Sequence, residues 1–146
     1  MIEKQAVRTG RHCVHNLHCH LVFITKYRKD IFNDAYLEFL EQTFSNICSD
    51  FQVELYEFNG EANHVHLLVN YPPKISLSRL VNSLKGVSSR YLRKKFPELS
   101  KYYWKGGFWS ASYFAGSCGG APLDILVKYI QDQDRPSTSP TSRKGF

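Results

Sequence analysis

A chain of 146 residues is long enough for one hydrophobic core but not for two. The formal net charge of +6 and the sequence pI of about 9.2 favour an anionic partner such as nucleic acid, although many basic proteins bind none. No apolar run reaches the roughly 18 residues of a membrane span and the first residues lack the apolar stretch of a secretory signal, so we expect a cytoplasmic protein with no membrane partner.

Four cysteines in 146 residues are too sparse for a disulfide framework, and no two of them have the C-x-x-C spacing of a metal-binding or redox motif. Residues 11–20 bring histidines and cysteines together closely enough to suggest zinc, but a structural zinc site usually draws on two separated ligand pairs. From His18 onward the alternation of side chains fits a β-strand. Ordinary strand residues are therefore the favoured interpretation of this cluster.

The hydrophobic pattern predicts a regular alternation of strands and helices. In chain order the predicted segments are a loose lead-in (1–13), a strand (about 16–25), a helix (about 33–49), a strand (about 51–58), an Asn59-Gly60 turn, a strand (about 62–69), a helix (about 76–95), a strand (about 108–115) and a last helix. Within these segments, period-two alternation assigns Leu55 and Phe58 to opposite strand faces. Helical spacing assigns Tyr91 to an apolar stripe.

The order β-α-β-β-α-β with an extra C-terminal helix predicts an α+β fold of the ferredoxin-like (RRM-like) class, a sandwich of helices on an antiparallel sheet. The usual strand order of that class places the first and third strands in the centre, so the third strand would lie mid-sheet. Residues 14–134 form the predicted domain. Residues 135–146 are a polar, basic tail that we expect to be disordered.

The third predicted strand carries two histidines, His64 and His66, that point to the same side because strand side chains alternate. Neutral imidazoles placed side by side can share one divalent metal ion. The alternative interpretation is a pair of hydrogen-bonded histidines on a half-exposed strand. The spacing alone does not decide between the two.

The last predicted helix, which begins near Pro122, carries a second pair of chemically useful side chains. Tyr129 and Gln133 are four residues apart, so they project from the same helix face. A phenol is a nucleophile, and an amide oxygen is a hard metal ligand. The ordinary alternative is a packed tyrosine and a solvated glutamine.

Together these motifs resemble the tyrosine HUH transposases of the smallest bacterial insertion sequences, over roughly residues 14–134. The matching segments, in chain order, are His20–Phe23, Thr25–Lys29, Asn63–Leu68, Leu84–Arg90, Trp109–Phe114, Gly119–Leu123 and Lys128–Gln133. Each segment alone is unspecific. Their occurrence in this order, in a chain of this length, makes the resemblance strong.

The resemblance implies a metal-dependent transposase that acts on single-stranded DNA. Tyr129 would cleave and rejoin DNA at the element ends through a 5′-phosphotyrosine intermediate, and His64, His66 and Gln133 would bind Mg²⁺ or Mn²⁺. The implied partners are single-stranded DNA hairpins at the element ends and a second subunit in a homodimer, with the DNA-bound protein located at the nucleoid. Two alternatives stay open: a domesticated endonuclease acting on chromosomal repeat hairpins, and a non-catalytic nucleic-acid-binding module of the same fold.

Two basic groups are the predicted DNA contacts. Lys26, Arg28 and Lys29 follow the first strand, whereas Arg90 and Arg93 lie on the polar face of the second long helix, where the alternative is a merely solvated surface. Asn63 stands where the family often has aspartate. We expect it to face away from the histidines, altering the polarity around them without abolishing metal binding.

Overall fold

The computed structural model describes residues 7–10, 12–102 and 107–117, in which an antiparallel sheet carries two helices. The elements are β1 (Arg8–Thr9), β2 (Val14–His15), β3 (Leu17–Thr25), α1 (Asp34–Asp50), β4 (Glu54–Gly60), β5 (His64–Tyr71), α2 (Leu77–Lys95) and β6 (Trp109–Gly116). Short 3₁₀ turns cover Lys26–Arg28 and Pro97–Tyr102. The predicted β-α-β-β-α-β order is confirmed, and the predicted last helix lies outside the described residues.

The main sheet has the strand order β4-β5-β3-β6, with every neighbouring pair antiparallel. The first and third predicted strands are therefore central, as expected for a ferredoxin-like fold. Among the helices that the structure describes, none combines the length and the apolar character needed to span a bilayer.

The hydrophobic core lies between the sheet and the two helices. Each central strand contributes every second residue to it: Cys19, Leu21 and Phe23 from β3, and Val65, Leu67 and Val69 from β5. Helix α1 is capped by Asn33, whose side chain accepts a hydrogen bond from the Tyr36 N–H at 2.9 Å. Because alternate residues are committed to this core, the residues between them must project from the opposite sheet face.

Strand β4 begins and ends later than the sequence predicts. Its start is delayed because the Phe51 N–H donates to the Cys48 carbonyl oxygen at 2.9 Å, which closes α1 with a turn. Its end is delayed because Asn59-Gly60 stays within the strand and residues 61–63 form the hairpin turn. The backbone of Gly60 lies close to α1, and a Cβ at position 60 would require the Leu37 side chain to shift.

An extra residue in β4 changes which side chains face the core. The register with β5 shifts between Leu55 and Glu57, so Tyr56 forms a bulge. Leu55 and Phe58 therefore both pack against the core. Their predicted assignment to opposite faces was wrong, because simple alternation does not survive a bulge.

The apolar stripe of α2 also differs from its prediction. Tyr91 is 49% exposed, whereas Leu92 and Ser88 are buried. Ser88 is tolerated inside because its hydroxyl oxygen accepts a hydrogen bond from the indole N–H of Trp109 at 3.0 Å. This bond links α2 directly to the first residue of β6.

The predicted lead-in contains a short strand, β1, which pairs with β2 just after it, with Arg8 opposite His15 and Thr9 opposite Val14. The Arg8 guanidinium fastens this pair to the main sheet. It donates to the backbone oxygen of Asn70 at 3.0 Å, to the Asn70 Oδ1 at 3.1 Å and to the Gln52 carbonyl oxygen at 2.8 Å.

Replacing Ser88 with alanine should lower the free energy of unfolding by about 1–3 kcal/mol, because the buried indole N–H of Trp109 loses its acceptor. Ser89→Ala is the matched control, since Ser89 is the neighbouring helical serine and is only partly buried. Urea denaturation followed by tryptophan fluorescence compares the two. Equal unfolding free energies would show that the Trp109 hydrogen bond contributes nothing to stability.

Candidate functional site

The two histidines of β5 share the sheet face that is turned away from the helices. In the register with β3, His64 is opposite Ile24 and His66 is opposite Val22. Residues directly opposite one another on antiparallel strands project to the same side. Since the intervening residue Val65 packs in the helix-covered core, His64 and His66 stand together on the other face, as their spacing predicts.

Asn63 contacts His64, contrary to the expectation that it faces away. The Asn63 Oδ1 lies 3.0 Å from the His64 Nδ1. An amide oxygen can only accept, so the proton of this contact belongs to Nδ1, and Nε2 keeps a free lone pair. The expectation failed because Asn63 belongs to the hairpin turn before the first residue of β5, where strand alternation does not apply.

His20 is a third histidine on this face, which sequence analysis treated as an ordinary strand residue. Its Nδ1 lies 3.0 Å from the His66 Nε2, and the two rings stack with their centroids 5.0 Å apart. The sequence did contain a signal for this contact. His20 is two residues before Val22, so the same alternation, combined with adjacent central strands, places it beside His66.

The other ring nitrogen of His66 is in an unusual position. His66 Nδ1 is buried and has no hydrogen-bond partner among the described residues. A buried polar atom without a partner costs about 1–3 kcal/mol. Such an atom needs an explanation, and a bound ion is one that the chemistry of an imidazole nitrogen allows.

Burial favours the neutral form of both β5 histidines. It lowers the pKa of His64 and of His66, because the charged imidazolium loses hydration. The neighbouring His20 lowers the pKa of His66 further, while Glu61 opposes the shift at His64 and Glu57 opposes it at His66. Neutral imidazole is the protonation state that can ligate a metal ion.

The imidazole pair fits a divalent metal ion as a partial ligand set. His64 Nε2 has a free lone pair, and its tautomer is fixed by Asn63 in the manner usual for metal-binding histidines. Within the described ranges, no group of three or more His, Cys, Asp or Glu side chains is arranged to hold a metal ion. A complete metal site would need further ligands. The predicted ligand Gln133 and the predicted nucleophile Tyr129 both lie outside the described residues.

The cysteine- and histidine-rich segment at residues 11–20 does not gather into one cluster. Cys19 is buried in the helix-side core, whereas His20 projects from the opposite face. Cys13 is exposed, and the cysteines that the structure describes are all free. This division agrees with the interpretation of the segment as ordinary strand residues.

The basic turn after β3 is fastened to the loop that precedes His64. The Thr25 N–H donates to the Asn63 carbonyl oxygen at 2.9 Å, and the Ile31 N–H donates to the Ala62 carbonyl oxygen at 2.9 Å. Both ends of the turn are therefore held by this loop. The structure brings Lys26, Arg28 and Lys29 to the end of the sheet where β5 begins.

The second basic group lies elsewhere. Arg90 and Arg93 are on the exposed side of α2, which covers the sheet face opposite the histidines. The structure thus places one predicted DNA-contacting group at the end of the sheet where β5 begins and the other on the helix that covers one sheet face. Contact of either group with DNA stays a prediction.

Comparison with known proteins identifies the family. The model of the family described as "Transposase IS200 like" matches residues 13–133, almost the whole described fold. This chain belongs to the IS200-like transposase family. The resemblance inferred from the motifs is thereby confirmed.

Several relatives of this transposase show how far the similarity extends. The ISDra2 transposase TnpA of Deinococcus radiodurans is 28% identical over 127 residues, covering 87% of this chain and 91% of the relative. The transposase for insertion sequence element IS200 of Salmonella typhimurium is 29% identical over 135 residues, covering 91% and 86%. Both relatives match along nearly their full length.

Solved structures agree with the fold of this transposase. A crystal structure of a candidate transposase from Deinococcus radiodurans R1 superimposes with a TM-score of 0.78 at 29% identity, covering 86% of this chain and 97% of that one. A REP-associated tyrosine transposase bound to a REP hairpin gives a TM-score of 0.50 at 11% identity, covering 86% and 68%. The second likeness concerns the fold alone.

The free energy of unfolding of this transposase should fall on acidification below about pH 6.5, where unfolded histidines titrate. Because the pKa values of His64 and His66 are lowered in the folded state, the unfolded chain binds more protons in this range, and stability is lost as the pH decreases. Replacing both histidines with glutamine removes their contribution, so stability should depend less steeply on pH.

Urea unfolding in the presence of a chelator, repeated between about pH 7 and pH 5, measures this dependence. His12→Gln is the control, because His12 is an exposed histidine outside the site. That variant should keep the full pH dependence. An equally steep dependence in the double variant would show that the buried pair does not cause it.

Proposed function

We propose that this transposase cuts and rejoins single-stranded DNA through Tyr129, with a divalent metal ion at His64 and His66. The observation that carries the proposal is the neutral imidazole pair on one rigid sheet face, where the Asn63 contact leaves His64 Nε2 free. Membership of a transposase family supports strand transfer as the reaction class. The role of Tyr129 rests on its place in the C-terminal part of the family match.

Tyr129 acts as the nucleophile in this mechanism. Its Oη attacks the scissile phosphorus in line, the bond from phosphorus to the 3′-oxygen breaks, and the departing 3′-oxygen takes up a proton while the phenol loses one. The products are a free 3′-hydroxyl and a 5′-phosphotyrosine. Because a phenol has a pKa near 10, it leaves more readily than an aliphatic hydroxyl, so the 3′-hydroxyl of another strand can reverse the step without ATP.

The metal would be held by His64, His66 and Gln133. When bound, it supplies polarisation of a nonbridging phosphate oxygen and helps to orient the scissile bond. An imidazole pair with an amide oxygen suits Mn²⁺ at least as well as Mg²⁺, which prefers an all-oxygen shell. Asn63 keeps the His64 ring in the tautomer that presents Nε2.

The substrate in this proposal is a single-stranded DNA hairpin at each element end. A REP-associated tyrosine transposase of the same fold has been solved bound to a REP hairpin. The basic turn with Lys26, Arg28 and Lys29 adjoins the histidine face and would contact the phosphate backbone. We also propose a homodimer, in which one subunit's tyrosine can complete its partner's histidine site, and a nucleoid location for the DNA-bound protein.

A domesticated endonuclease that acts on chromosomal repeat hairpins is the second candidate, with the same residues and chemistry. The relatives that match along most of their length are transposases of insertion sequences, which favours the mobile-element role. The DNA flanking the gene discriminates between the two. A mobile element has matching subterminal hairpins on both sides of the gene, whereas a domesticated enzyme acts on repeats scattered elsewhere.

Incubation with labelled single-stranded hairpin DNA from the gene's flanks, plus Mn²⁺ or Mg²⁺, should give a covalent protein–DNA adduct on a denaturing gel. Tyr129→Phe should abolish the adduct because it lacks the attacking oxygen. His64→Ala and removal of the metal by a chelator should also abolish it. Gln133→Ala should reduce it, with partial recovery at higher metal concentration.

Tyr91→Phe is the matched control, because it removes the hydroxyl of an exposed tyrosine on α2. This variant should form the adduct at the normal rate. Cleavage that persists in Tyr129→Phe would refute the phosphotyrosine mechanism. DNA binding without any adduct in the unmodified protein would favour the non-catalytic module.

A further inference from the structure

The basic turn after β3 holds an aromatic ring out in solvent. Tyr27 is 62% exposed, with φ 59° and ψ 23°. The next residue, Arg28, also has a left-handed backbone, with φ 56°. Residues with a Cβ rarely adopt this backbone conformation, which suits glycine or asparagine better. A bulky phenol kept here calls for a reason other than turn formation, because strained positions of this kind cluster at functional sites.

The turn is a firm support for that ring. Thr25 closes it from one end to the other, since its Oγ1 donates to the Lys29 carbonyl oxygen at 2.7 Å. The Lys26 N–H donates to the Phe108 carbonyl oxygen at 2.9 Å, which ties the turn to the residue before β6. Together with the bonds to the loop before His64, these contacts set the backbone from which Tyr27 projects.

The charges around Tyr27 define the kind of ligand that fits. Tyr27 is flanked in the sequence by the cationic residues Lys26, Arg28 and Lys29. The acidic residue Asp30 follows them. The Lys26 ammonium lies 5.7 Å from the ring centroid. An exposed aromatic ring among cations is the combination by which proteins bind single-stranded nucleic acid, since bases stack on the ring and phosphates pair with the cations.

We propose that Tyr27 is a base-stacking platform that positions single-stranded DNA beside the histidine face. One base stacks on the phenol ring, the cations of the turn pair with its flanking phosphates, and the strand then continues past the start of β5. Stacking accepts any base, so this contact contributes affinity and placement more than sequence choice. The inference rests on the proposed function only in taking single-stranded DNA as the ligand.

Fluorescence of 2-aminopurine tests the platform without any chemistry. Full-length Tyr129→Phe protein is mixed with hairpin oligonucleotides from the gene's flanks, each carrying one 2-aminopurine at a successive position of the single-stranded arm. Binding should quench the fluorescence at one position or at adjacent positions. Asparagine tolerates the left-handed backbone but has no aromatic ring. Introducing Tyr27→Asn into the Tyr129→Phe protein should therefore remove the quenching and weaken DNA binding about tenfold.

Two further variants make the result specific. Tyr27→Phe keeps the ring and should bind and quench as before. Tyr91→Asn removes another exposed tyrosine, which lies on α2 between Arg90 and Arg93, and should leave the quenching unchanged. Quenching that is lost in Tyr91→Asn and kept in Tyr27→Asn would place the stacked base on α2 and overturn the proposal. Thermal melting of each variant shows that the fold is retained. Quenching that survives in Tyr27→Asn, or loss of quenching in Tyr27→Phe, overturns the stacking proposal.

The adduct assay separates this proposal from the proposed function. The adduct is measured with Tyr129 intact. If the adduct forms normally and Tyr27→Asn does not change the 2-aminopurine quenching, the catalytic mechanism is supported and the stacking proposal is refuted. Quenching that depends on Tyr27 in a protein that forms no adduct supports the platform and removes the catalytic mechanism.

Discussion

The antiparallel pairing of β3 with β5 determines where the histidines of the candidate site lie. Its register puts His66 opposite Val22 and His64 opposite Ile24, while Leu67 and its alternate neighbours face the core. A slip of one residue would turn the histidines into the core and the core residues outward. Because one face of these strands is buried in the core, the side chains of the other face are fixed in position. The histidines are therefore held by the most buried part of the fold.

The same strand pair also supports the basic turn. Where β3 ends, the backbone passes directly into the turn, and hydrogen bonds to Ala62 and Asn63 hold it against the start of β5. Left-handed backbone at Tyr27 and Arg28 costs roughly 1–2 kcal/mol per residue. This unfavourable backbone conformation persists because the surrounding hydrogen bonds hold both ends of the turn. The histidine side chains and the basic turn thus lie close to the same end of the two central strands.

Much of the fold was predictable because it depends on local periodicity. Alternation identified β5 and its histidine face, and helical spacing identified α1 and α2 with small errors at their ends. Non-local contacts were beyond such patterns. The bulge at Tyr56 follows from pairing with β5, and the N-terminal strand pair depends on Arg8 reaching residues far along the chain.

The candidate site likewise contains residues that local spacing predicts and residues that only the folded structure reveals. Spacing within one strand was enough to place His64 and His66 side by side, because neighbouring residues on a strand face need no knowledge of the rest of the fold. His20 required the order of strands in the sheet, and the Asn63 contact required the geometry of a turn. Both depend on where separate segments meet, which composition and periodicity do not specify.

The asparagine before β5 has an electrostatic consequence. An amide oxygen orients the His64 ring as a carboxylate would, but it adds no negative charge. A divalent cation held by uncharged ligands directs its full double charge toward an incoming phosphodiester. The same neutrality makes the imidazole a weaker donor than one backed by aspartate. In the proposed metal site, asparagine at position 63 would therefore hold the ion less tightly than aspartate would, and would leave more of the ion's positive charge to attract nucleic acid.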